Sequence, residues 1–279
     1  MSQDQTTSPI GIFAKTFSGH TPLAVLSAAK AAGFNTVQYN LACSGLGALP
    51  QAVSDSAATE IAIASQQTGV ALAAVSATYN MIHPDLAMRQ AGRRSFLAIA
   101  AQAQAMGTKL ITLCTGSCDA KDQWRHHPDN NSDESWRTMI SEFEKFIAIA
   151  EAQDIYLGVE PELANVVSSA AKARQLIDEM KSPRLRIVFD AANLFERVTA
   201  AEQRRIIEQS ATLLSGHIAM AHAKDRKADG SFAAAGQGTI DFKHYFTTLK
   251  AAGFVGDIIS HGLAADEAAG VAAFLKTQL

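Results

Sequence analysis

Cysteine is scarce in this chain: Cys43, Cys114 and Cys118 are the only three among 279 residues. The count is odd and the spacing outlines no disulfide framework. Cys114 and Cys118 stand four apart, but no second cysteine pair completes a zinc site. Free thiols in a reducing cytoplasm are therefore expected. Charge is also sparse, with 18% Asp, Glu, Lys and Arg and a net charge of −3. That balance carries no electrostatic footprint for nucleic acid or an acidic membrane, and a small-molecule partner is expected instead. No stretch reaches the roughly 18 uninterrupted apolar residues a membrane span needs. The opening MSQDQTTSP has neither the basic nor the apolar region of a signal peptide, so residues 1–9 are read as a flexible tail of a cytoplasmic protein. Gly236-Gln237-Gly238 lacks the lysine of a phosphate-binding loop and follows no strand directly, which leaves it a structural role.

What the chain does hold is apolar material, 48% of its residues. It is laid out as short β-rich runs separated by alanine- and leucine-rich tracts. The runs fall at 10–17, 36–41, 71–78, 110–115, 156–160, 186–190, 218–223 and 257–260. Most are continuously apolar rather than alternating, as in parallel strands covered on both faces. The tracts between them have helical spacing, for example Leu23, Val25, Leu26, Ala29 and Ala32 ahead of Gly33, and Met139, Ile140, Phe143, Phe146, Ile147 and Ile149. Eight such alternations without a linker predict an α/β chain folded as a single (β/α)8 TIM barrel over 1–279. A doubly wound open sheet is the alternative, but it needs no eight regular units.

Several runs end in polar bursts: Gln38-Tyr39-Asn40, Glu160-Pro161-Glu162, Asp190-Ala191-Ala192-Asn193 and His222-Ala223-Lys224-Asp225. Loop onsets are polar in any protein. In a parallel barrel, however, the C-terminal strand ends carry the active site, and here ligand-type residues stand there on consecutive strands. Glu160, Asp190 and His222 would converge from strands five, six and seven. Two carboxylates and an imidazole suit Mn²⁺, Co²⁺, Zn²⁺, Fe²⁺ or Mg²⁺.

The segments VEPELANVV, IVFDAANLF, HAKDR and GQGTIDF, with TYNMIHPD and TGSCDAKDQWRHHPDN, resemble in their order the xylose-isomerase-like TIM barrels, the sugar phosphate isomerase/epimerase group. The likeness runs from GIFAKTF to the last helix. It implies Glu160, Asp190 and His222 as metal ligands. The family's epimerases place a glutamate at the end of strand eight, where this chain has His261. A fourth ligand from His261 would favour transition metals, and His261 is alternatively a general base. Glu160, Glu162 and His261 are the expected proton carriers. Gln38, Asn193, Lys224 and Arg226 are expected to bind substrate, together with His83, Trp124 and His127. Trp124 and His127 lie on the long polar segment 116–135, read as a lid, and Asp241 is placed at a helix start.

The implied activity is metal-dependent isomerisation or epimerisation of a keto sugar or related polyol, by α-proton abstraction through an enediolate. A dehydratase or lyase on a cyclic keto-polyol would share the first step, and a non-catalytic sugar-binding barrel would keep the fold alone. An apurinic-site endonuclease, from the same barrel family, is disfavoured by the acidic net charge. Relatives of this kind often pair, which implies a homodimer or homotetramer.

Overall fold

The computed structural model describes residues 8–279; of the expected tail, residues 1–7 lie outside the described residues. Eight parallel strands close into a barrel: β1 (Ile10–Phe13), β2 (Thr36–Tyr39), β3 (Ala71–Ser76), β4 (Leu110–Leu113), β5 (Tyr156–Val159), β6 (Leu185–Asp190), β7 (Ile218–Arg226) and β9 (Asp257–Ser260). Closure is made by β9, which pairs with both β1 and β7, while β6 pairs with β7. A short strand, β8 (Phe232–Ala234), runs antiparallel on the tip of β7. The open-sheet alternative is thereby excluded.

Each barrel strand is followed by a helix: α1 (Pro22–Ala31), α2 (Asp55–Thr68), α3 (Leu86–Met106), α4 (Asp133–Ala152), α5 (Ala170–Met180), α6 (Ala200–Leu213), α7 (Phe242–Ala251) and α8 (Ala268–Gln278). The first seven begin on a side-chain cap: Thr21, Ser54, Asp85, Ser132, Ser169, Thr199 and Asp241. Each cap satisfies an amide the helix itself cannot, a contribution of about 1 kcal/mol. Asp241 stands at a helix start, as the sequence predicts.

Two strands differ from their predicted extents by three residues or more; five others differ by only one or two. β1 stops at Phe13 because Ala14–Thr16 turn into a 3-10 helix. β7 runs on to Arg226 because β8 supplies a hydrogen-bonding partner beyond the barrel rim.

The main apolar core fills the space between strands and helices. A second, small cluster of Ala74, Leu110, Val188, Met220 and Ile259 plugs the barrel interior toward the strand starts. Space there is tight: a Cβ on Gly11 would lie 2.5 Å from the Thr36 carbonyl oxygen and the Ile259 Cδ1. Above the apolar plug the barrel interior turns polar, with Gln38, Thr112, Asp190 and His222 all buried at the C-terminal strand ends. No helix among the described residues is long and apolar enough to cross a membrane.

Candidate metal centre at the C-terminal rim

Glu160 follows the last residue of β5, Asp190 ends β6, His222 lies on β7 and His261 follows β9. One ligand atom from each falls within 4.8 Å of every other. His222 Nδ1 is 3.0 Å from Glu160 Oε1 and 3.8 Å from Asp190 Oδ2. His261 Nε2 is 3.3 Å from Asp190 Oδ2, and the two imidazoles meet edge to face at 4.4 Å. Neighbouring donors around an ion bonded at about 2.1 Å stand roughly 3.0–3.4 Å apart, so the Glu160–His222 and Asp190–His261 separations match the edges of a coordination shell, while Asp190 and His222 stand wider. The donor chemistry, two carboxylates and two imidazoles, likewise fits a divalent metal ion.

A second ring of polar groups holds these four. Asn193 donates through Nδ2 to Glu160 Oε1 at 2.8 Å and to Glu162 Oε1 at 2.6 Å, so both carboxylates of the strand-five burst share one amide. The Asn193 oxygen accepts from Lys224 Nζ at 2.8 Å. The same ammonium lies 3.1 Å from Asp190 Oδ2. Gln38 Oε1 is 2.8 Å from His222 Nε2. Below the centre the Tyr245 hydroxyl is shared between the carbonyls of Phe189 and His222, at 2.9 and 3.1 Å, and ties the ends of β6 and β7 together.

Burial opposes ionisation throughout this cluster, and the partners decide where each group settles. Glu162 is pushed up to about 8 by burial and by the neighbouring Glu160 charge. For Glu160, burial is outweighed by His222 and Lys224, and its carboxyl lies below the usual range. Asp190, also buried, is held far lower by Lys224 and His261. Burial lowers His261, helped by the charges of His222 and Lys224. Lys224, in spite of burial, stays above its usual value because Asp190, Glu160 and Glu162 surround it.

Of the residues expected to contact substrate, the fold brings Gln38, Asn193 and Lys224 into the centre. Arg226 is directed elsewhere: its Nε donates to the Ala192 carbonyl at 2.8 Å, and its guanidinium lies over the Phe232 ring. His83 braces the loops through the Ala120 carbonyl and the Asp85 amide. His127 accepts from the Asp129 amide and opens a short 3-10 helix. Trp124 is 49% exposed at the tip of the long loop after β4. The base of that loop is pinned by three asparagines: Asn80 on the Ser117 carbonyl, Asn130 on Ala164 and Asn165 on Gln123.

Thr112, Tyr245 and Asp225 escape the sequence reading. Asp225 is fully buried, and its carboxylate accepts from the amides of Arg226, Gly236, Gly238 and Ile240. That explains Gly236-Gln237-Gly238 as the wrapping of a carboxylate, since a Cβ on Gly238 would lie 2.3 Å from Asp225 Oδ1. Its position directly after Lys224 in a polar burst was the one available signal.

A closed parallel barrel that gathers two carboxylates and two imidazoles at its C-terminal rim defines a TIM barrel with a candidate metal site. The chain belongs to the xylose isomerase-like TIM barrel family, whose model matches residues 26–276. No curated protein matches it in sequence. Among solved structures it is similar to the apo form of a 3-keto-D-glucoside 4-epimerase from E. coli, with TM-score 0.77 and 16% identity over 97% of this chain and 100% of that one. It is also similar to an L-ribulose 3-epimerase, with TM-score 0.74 and 16% identity over 98% and 96% of the two chains. A xylose isomerase-like TIM barrel protein from Mycobacterium smegmatis, in complex with magnesium, gives TM-score 0.72 and 13% identity over 100% and 98%.

Proposed function

We propose that the protein is a divalent-metal-dependent isomerase or epimerase of a keto sugar or related polyol. The observation that carries this reading is the convergence of Glu160, Asp190, His222 and His261 within 4.8 Å, with the Glu162 carboxyl joined to Glu160 through Asn193. Glu160, Asp190 and His222, with His261 as fourth ligand, would hold the ion. When bound, the ion supplies Lewis acidity to a substrate carbonyl and acidifies the adjoining C–H. Glu160 and Glu162 are the groups placed to take that proton and return it to the neighbouring carbon or oxygen. Asn193 keeps both carboxylates on one side of the centre, and Lys224 balances charge beside Asp190. The neighbouring epimerases of keto sugars support the substrate class. A cytoplasmic location belongs to the same reading, supported by three free thiols. So does assembly as a homodimer or homotetramer.

The test is solvent deuterium incorporation into a panel of unphosphorylated and phosphorylated keto sugars with Mn²⁺ present. Exchange at a carbon next to the carbonyl is expected, and its absence across the panel would overturn the assignment. One observation favours a second reading: His261 stands where an epimerase would carry a second glutamate. Elimination needs no proton returned to the opposite face of carbon. Release of an absorbing enone from a cyclic keto-polyol would mark a dehydratase.

A further inference from the structure

His222 presents its two nitrogens to different surroundings. Nδ1 faces the carboxylate oxygens, 3.0 Å from Glu160 Oε1 and 3.8 Å from Asp190 Oδ2. Nε2 faces Gln38 Oε1 at 2.8 Å. The Gln38 side chain is itself fixed at its far end, where Nε2 donates to Thr112 Oγ1 at 3.0 Å. All three side chains are buried. Gln38 and His222 are 184 residues apart in the chain, on β2 and β7, and meet only across the closed barrel.

We propose that Gln38, anchored by Thr112, is a positioning residue that selects Nδ1 of His222 as the metal-ligating nitrogen. The inference rests on the metal-dependent reading above. An amide whose NH2 end is spent on Thr112 offers only its oxygen to the imidazole, and an oxygen there requires Nε2 to carry the hydrogen. In the metal-free protein a hydrogen on Nδ1 bridges to Glu160 Oε1 at 3.0 Å. With Nε2–H held by Gln38, release of that one hydrogen leaves the Nδ1 lone pair facing the carboxylate oxygens of Glu160 and Asp190, where a metal ion takes its place. Hydrogen bonding of the distal nitrogen also raises ligand basicity and holds the ring in the coordinating orientation. Buried as it is, the amide can rotate only by breaking both of its hydrogen bonds.

The rival arrangement turns the amide over. Gln38 would then donate to Nε2, Nδ1 would carry the hydrogen, and the residue would work against the ion. The two arrangements give variants of opposite sign. Co²⁺ binding to the purified, metal-free protein, followed by its visible absorption without substrate, is the measurement. Gln38→Leu is expected to weaken Co²⁺ binding roughly 10–100-fold, the usual effect of losing such a partner. Gln38→Glu, which can only accept when ionised, is expected to retain binding within a few-fold of wild type. Thr112→Val, which frees the amide but leaves it in place, is expected to fall between and guards against misfolding of the leucine variant. Nitrogen NMR of the His222 ring should show Nε2–H in the zinc-loaded wild type and a mixture of tautomers in metal-free Gln38→Leu. Unchanged or tighter Co²⁺ binding by a folded Gln38→Leu, or Nδ1–H in the loaded wild type, overturns the proposal while the metal-dependent reading stands. A wild-type protein that binds no Co²⁺ removes both.

Discussion

Glu160 and Glu162 lie two residues apart with their carboxylates joined by one amide, yet burial and charge push their carboxyls in opposite directions. Glu160 faces His222 and Lys224 and is held ionised. Glu162 stands behind it and is pushed up to about 8. Pairs of carboxyls driven apart in this way are a common basis for proton transfer at neutral pH. Glu160→Gln preserves side-chain size and the contact with Asn193 while removing the charge. Its expected outcome is loss of solvent exchange into keto sugar by roughly 10²–10⁴-fold, with unchanged circular dichroism. Glu160, Asp190 and His222 were legible in the sequence because each is a ligand-type residue at a strand end. The fates of Arg226, His83 and His127 were not legible. All are polar loop or strand-end residues, and only the folded chain shows that backbone carbonyls and amides occupy them.

At the scale of elements, the β7–β8 hairpin is the main departure from eight plain βα units. The strand continues past the rim because Lys224, Asp225 and Arg226 pair with Ala234, Ala233 and Phe232. The return loop then winds around the Asp225 carboxylate. A buried carboxylate is costly unless ionic hydrogen bonds surround it, and four backbone amides do so here. Asp225→Ala leaves those donors buried without an acceptor. It is expected to cost about 3 kcal/mol or more of stability, read as a fall in the urea midpoint. Such an anchor is invisible to periodicity, because an aspartate on a strand tip reads the same whether it faces water or a nest of amides. The neighbouring Gly238 was visible as a glycine, but its reason, an approach too close for any Cβ, belongs to the hairpin.

For the whole molecule, the barrel brings three acidic side chains, Glu160, Glu162 and Asp190, into one buried place with Lys224 beside them. A divalent ion that binds only the folded state stabilises it by about 2.7 kcal/mol at a hundredfold excess over Kd. Mn²⁺ or Co²⁺ is therefore expected to raise the melting temperature by roughly 5 °C or more relative to protein treated with chelator. Asp190→Asn should abolish that rise while remaining folded, as read by differential scanning calorimetry. A rise of equal size in the variant would place the ion elsewhere.

Local pattern determined the repeating units and the four ligand-type residues at one end of the barrel, because burial on both faces forces apolar strands and leaves polarity for their ends. The extra hairpin, the sharing of Asn193 between two glutamates and the contact between Gln38 and His222 were decided by tertiary structure alone. They depend on barrel closure, which brings residues from opposite parts of the chain within hydrogen-bonding distance and shuts out the water that would otherwise satisfy them.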